Sequence, residues 1–164
     1  MSDPEKPIST NRAPRGQALA EFALILPILL GLVGGAIDFA RAFEGSMTLQ
    51  TATRNAAEAA AFDTTVTTPA QATARARAVV CAETQRLPGF EPGAGGNVAT
   101  CTNPVVTATW VRSTTAPGAN EKYPLVTVTV ATSMDFKLTV PWPLLPDGVW
   151  NIGTTESFSI MQGR

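Results

Sequence analysis

Residues 18–37 (ALAEFALILPILLGLVGGAI) form a run of 20 residues in which Glu21 is the one charged side chain. As a helix rising 1.5 Å per residue, such a run is about 30 Å long, the thickness of a hydrocarbon core. It must lie in lipid, be buried against protein, or be removed as an export signal. Charged residues make up 15% of the chain and apolar ones 45%, against roughly 25% charged in ordinary soluble domains. The shortage of charge points to a membrane or an assembly. Lys6, Arg12 and Arg15 precede the run and Arg41 and Arg54 follow it, a bias of 3 to 2 that puts the N-terminal side in the cytoplasm.

The same composition removes several function classes. With 12 Lys plus Arg against 13 Asp plus Glu, the formal net charge is −1, and no basic stripe is available to neutralise phosphates. Nucleic acid is therefore not an expected partner. The chain has no His, which removes the commonest general base and neutral metal ligand. Asp135, Asp147 and Glu156 are the acidic residues of positions 125–164, and nothing in their spacing places them together. The expectation is a protein that is not an enzyme and has no cofactor, no metal and no small-molecule substrate.

Three readings of the apolar run stay open. A secretory signal would have a basic start, an apolar middle and small residues (Gly34, Gly35 and Ala36) at its end, releasing a domain that begins near Ile37. A plain anchor would leave an uncleaved single-pass protein with a periplasmic head that binds a ligand or the cell wall. The third reading starts from Gly16, Gln17, Glu21 and Phe22. An intramembrane carboxylate is costly enough to be a functional hypothesis by default, and near the helix start the cost is lower. Cleavage between Gly16 and Gln17 would create an amine four residues before Glu21, on the same helical face. That amine, or one on a neighbouring subunit, is a natural partner for the carboxylate.

Residues 15–61 (RGQALAEFALILPILLGLVGGAIDFARAFEGSMTLQTATRNAAEAAA) resemble the N-terminal signature of the TadE-like family, pseudopilins of tight-adherence (Flp) pilus systems. Gly16, Glu21, Phe22, Pro27, Asp38, Phe39, Arg41 and the Asn55, Ala56, Ala57 segment carry the likeness. Residues 125–146 (LVTVTVATSMDFKLTVPWPLLP) and 151–161 (NIGTTESFSIM) resemble its C-terminal strands and the Pro/Leu loop between them. The resemblance implies a minor pseudopilin or assembly subunit in the bacterial inner membrane, cut by a prepilin peptidase. Its partners would be that peptidase, other pilus subunits and assembly proteins, and membrane lipid, with incorporation in surface pili a further implication.

The rest of the chain reads as an α+β, pilin-like head. Residues 1–16 form a proline-containing leader to be cut off, 17–40 the spanning helix, and 41–164 the extracytoplasmic part. The helix should continue over 41–62, because Phe39, Phe43, Met47, Gln50, Arg54 and Glu58 recur at helical spacing beside Ala52, Ala56, Ala59 and Ala60. Pro27 should kink it. Residues 68–71 (TPAQ) start a second helix over 69–87, with a capping Thr and a Pro in the first turn. Arg75 and Arg77 read as its solvated edge. Residues 105–161 alternate as an antiparallel sheet of three to four strands. The even positions from Val126 to Val140 share one parity, so 125–140 could be one long strand facing the helices.

Two features of the head carry site expectations. Cys81 and Cys101 are the only cysteines, and on the oxidising side of the membrane such a pair forms a disulfide. Two separate buried thiols are the alternative, and metal binding would need more ligands. Residues 141–146 (PWPLLP) form an apolar loop whose prolines bar a strand. Trp142, Leu144 and Leu145 either close one end of the core or make a partner patch facing a pilus subunit or the membrane surface.

Overall fold

The computed structural model describes residues 15–113, 125–139 and 148–161. It is an α+β fold of two helices and three strands in the order α1 (Arg15–Phe62), α2 (Pro69–Thr84), β1 (Val105–Arg112), β2 (Leu125–Lys137) and β3 (Val149–Met161). The chain divides into two compact units, Met1–Ile37 and Asp38–Arg164. The first unit, where described, is the N-terminal part of α1, and the helix passes through Pro27 without interruption.

In the second unit, α1 presents a face of small side chains to the sheet. Ala42, Leu49, Ala52, Ala56, Ala57, Ala60 and Ala61 are buried, while Phe39, Phe43 and Met47 stay more than half exposed. Small residues let the helix approach closely. A Cβ on Gly45 would lie 2.9 Å from Cε2 of Phe136, and Phe136 is among the largest fully buried side chains. α1 ends where Asp63 Oδ1 accepts the N–H and hydroxyl of Thr65, at 3.0 and 2.6 Å. This local turn competes with further helix.

α2 starts as its residues demand. The Thr68 hydroxyl accepts Gln71 N–H, and Gln71 Oε1 accepts Thr67 N–H at 2.9 Å. It stops at Thr84, before the expected residue 87. Pro88 biases Leu87 away from helical torsions, and the chain closes a turn instead, with Leu87 N–H bonded to Thr84 O at 2.9 Å. Ala72, Ala76, Val80 and Cys81 form its buried face. Arg75 and Arg77 differ from each other: Arg75 Nε is 3.5 Å from Asp63 Oδ2, whereas Arg77 is half-buried, its Nε without a hydrogen-bond partner among the described residues.

The sheet has three antiparallel strands in the order β1, β2, β3. β2 is one strand of 13 residues, and its even positions from Val126 to Phe136 are all buried. Thr132 breaks the apolar series, and its hydroxyl is 2.6 Å from that of Thr53 on α1 inside the core. The opposite face is paved with hydroxyls, including Thr127 with Ser159 at 2.9 Å and Thr129 with Ser157 at 2.8 Å. Between α2 and β1, two short 3-10 turns (Ala94–Gly96 and Val98–Thr100) lie in a segment fastened by Asn103. The Asn103 amide donates to Gly89 O and Asp135 O and accepts Asp135 N–H. Gly89 is needed there: its φ is +98°, and a Cβ would fall 2.1 Å from Asp135 O.

Candidate functional site

The residues singled out around Gly16 sit in the first two turns of α1. Gly16, Gln17, Glu21 and Phe22 are all exposed. The Gln17 amide donates to Glu21 Oε1 at 3.2 Å, the one-turn contact their spacing allows. No atom of the described residues outside the local helix lies within 4 Å of where a Cβ on Gly16 would sit. Gly31, further along the same helix, is equally open.

Behind this motif the side chains face outward on every side of the helix. Leu19, Leu24, Ile28, Leu30 and Leu32 are each more than 60% exposed. The most apolar window of this helix has a mean hydropathy of 2.2 and is only 6% buried. A core helix of a water-soluble domain would be mostly buried, so this one is a candidate membrane span whose apolar surface the described residues do not cover.

At the N-terminal end of the second unit, the structure shows a clasp that sequence reasoning registered only as a motif match. Asp38 is 2% exposed. Its two carboxylate oxygens accept Thr139 N–H at 3.1 and 3.2 Å. Arg41, one turn along, lies 3.7 Å from Asp38 Oδ1 and donates to the Thr139 hydroxyl. The carboxylate thus fastens the start of this part of α1 to the chain leaving β2. The available signal was a lone Asp directly after an uncharged run, but its partner is about a hundred residues away and invisible to local pattern.

The cysteines meet: Cys81 and Cys101 form a disulfide with Cα atoms 5.7 Å apart, both buried. Asp135 and Glu156 do not. Asp135 is on the hydroxyl face and accepts from Asn151 at 2.7 Å, whereas Glu156, opposite Val130, is on the helix face and accepts from Gln50 at 3.3 Å. Asp147 and the proposed patch of Trp142, Leu144 and Leu145 lie outside the described residues, as does the leader up to residue 14. Among the described residues no group of three His, Cys, Asp or Glu side chains could hold a metal ion. An open groove of about 740 Å³ runs between α1 and β3, lined in part by Gln50, Arg54, Glu58, Glu156 and Phe158.

Among the described residues, one ionisable group is clearly displaced. The Thr65 hydroxyl and N–H, helped by Arg75, hold the Asp63 carboxyl below its usual value of 3.8. Hydrogen bonds to the charged form outweigh partial desolvation there.

Comparison with curated proteins and with solved structures gives no match. A family model described as "TadE-like protein" matches residues 16–58, from the glycine before the span to the Ala-rich face packed on the sheet. Those residues carry the motif, the apolar helix that is a candidate membrane span and the buried Asp38, and over them the chain is similar to the TadE-like family.

Proposed function

We propose that this protein is a minor pseudopilin or assembly subunit of a Tad/Flp-type pilus, inserted in the bacterial inner membrane with its head outside the cytoplasm. In this reading a prepilin peptidase cuts between Gly16 and Gln17, and the role is not enzymatic. The observation that carries it is the juxtaposition at the start of α1: Gly16 directly before Gln17, both exposed, and Glu21 within hydrogen-bond reach of Gln17 at the head of the apolar helix.

Glu21 has a definite task in such a subunit. After cleavage, the new amine of Gln17 and the Glu21 carboxylate are one turn apart, and neutralisation lowers the cost of holding each in a low-dielectric surround. In an assembly the same carboxylate can take the amine of a neighbour, which sets the axial register of adjacent helices. The apolar side chains of the span supply the non-directional attraction and the head supplies the specificity. Prepilin peptidase, other pilus subunits and lipid are the partners of this reading.

Intact mass and N-terminal sequencing of the chain from its native membrane test it, before and after reduction. A chain beginning at Gln17, and two mass units heavier after reduction, supports processing and the disulfide together. One beginning at Met1 makes the protein an ordinary anchored one, and one beginning near Ile37 makes the span a discarded signal. Glu21→Ala should leave insertion and the head intact but reduce incorporation into pili. Unchanged piliation would remove Glu21 from the mechanism.

A further inference from the structure

The two edges of the sheet are finished differently. Leu138 N–H donates to Gly148 O at 2.8 Å, and this pair continues the register of β2 with β3. Antiparallel pairs alternate between bonded and non-bonded, so even-numbered residues of β3 direct their N–H and C=O groups to β2. The odd-numbered ones, Asn151, Gly153, Thr155, Ser157 and Ser159 among them, direct theirs away from the sheet. On the other side, Ser113 N–H donates to Leu125 O at 2.8 Å, which by the same alternation turns the even residues of β1 outward. α2 occupies that edge at Ala108, where the Thr73 hydroxyl lies 3.2 Å from both the N and the O. Among the described residues nothing pairs with the outer edge of β3.

An unpaired edge of this length is a template for another strand, and proteins that avoid such pairing place Pro, Lys, an inward-pointing charge or a bulge along it. β3 has 13 residues with no Pro, no Lys and no Arg, its one charged side chain being Glu156 on the helix face, and its register with β2 is unbroken by a bulge. The groove between α1 and β3 lies beside this edge, so side chains of an added strand would enter it. Its charged groups are one guanidinium, Arg54, and two carboxylates, Glu58 and Glu156.

We infer that the outer edge of β3 is a strand-acceptor site that binds an extended segment of another polypeptide, antiparallel, with a basic side chain opposite Glu156 and an apolar one opposite Phe158. Even-numbered positions of β3 would form the non-bonded pairs with the incoming strand, where facing Cβ atoms come within about 5 Å. A cation there meets Glu156 and Glu58. The occupant is not a second copy of this sheet, for three reasons. Its β1 edge is occupied by α2 at Ala108. Parallel β3 strands related by a twofold axis have the same residues facing each other, whereas a parallel ladder needs a one-residue offset. Antiparallel β3 strands would reverse α1, which runs parallel to β3 from the contact of Phe39 with Trp150 to that of Phe62 with Phe158. The two Asp38 ends would then be about 40 Å apart at opposite ends of the ribbon, although both chains enter from one bilayer. This last step rests on the membrane-anchored reading above.

The test is hydrogen exchange of the full-length chain in lipid nanodiscs, resolved to single amides, with and without a synthetic peptide of alternating Thr and Val carrying one central Lys. Binding should slow the amides of Asn151, Gly153, Thr155, Ser157 and Ser159 by on the order of tenfold or more, and leave even-numbered amides of β3 unchanged. Replacing the peptide's Lys by Glu should weaken the effect. Thr155→Pro removes an outward N–H and should abolish the slowing without lowering the unfolding midpoint, and Ser157→Lys should do the same should the proline distort the strand. Unchanged odd amides, both with peptide and in native membranes, overturn the proposal. Slowing that follows the chain's own concentration without peptide assigns the edge to a second copy and overturns it too. The N-terminal residue of the Thr155→Pro chain is read in parallel: a start at Gln17 shows pilin-type processing standing whatever the edge does.

Discussion

Three single residues in this protein do work that their neighbours in sequence do not announce. Gly45 is a glycine because the Phe136 ring occupies the space a side chain would need. Gly45→Val should cost about 2 kcal/mol through overpacking, seen as a lower urea midpoint with an unchanged slope. Asp38 is a buried carboxylate fastened to a backbone N–H. Asp38→Ala should cost about 2 kcal/mol by leaving that donor without its charged acceptor, and Asp38→Asn, which keeps an acceptor oxygen, should cost less. Asp63 supplies the acid dependence. Its folded pKa lies below the usual 3.8, so its stabilising effect is full above the unfolded value and is lost as pH falls through the folded one. Removing the carboxylate by Asp63→Asn should therefore flatten the fall of the thermal midpoint below pH 4, and an unchanged profile would show that the Thr65 contacts contribute nothing.

At the scale of elements, legibility followed periodicity. The parity of residues 126–136 was readable because a strand covered on one face must alternate, and β2 buries every even position in that span. The start of α2 was readable because Thr68 and Gln71 are local capping groups. Its end was less so, since the turn after Thr84 depends on Leu87 and Phe90 packing against the core. The exposed Phe39, Phe43 and Met47 show the same limit. Helical spacing marked them, yet the sheet took the Ala face beside them because small side chains admit closer contact. The disulfide joins α2 to the segment before β1 across 20 positions. Replacing both Cys81 and Cys101 by Ser should lower stability by about 3 kcal/mol in the chain-entropy account, measured by denaturant unfolding. Thr68→Ala should cost about 1 kcal/mol through the lost cap, by the same measurement.

For the molecule as a whole, the apolar surface of residues 18–37, which the described residues do not cover, sets where the chain can reside. Two arginines replacing Leu29 and Leu32 should move it from the alkali-resistant membrane pellet to the supernatant, since each costs about 2.5–3.5 kcal/mol at the centre of a span. Retention in the pellet would mean that the helix is held by something other than lipid. The sequence by itself determined the apolar run of residues 18–37, the α+β order and the start of α2, because each rests on local composition or spacing. Tertiary structure alone decided that Asp38 clasps Thr139, that Gly45 yields to Phe136, and that Asp135 and Glu156 lie on opposite faces. It also decided that α2 meets one edge of the sheet at Ala108, while among the described residues nothing pairs with the other. Those outcomes depend on contacts between residues dozens of positions apart, whose register exists only once helix and sheet have packed.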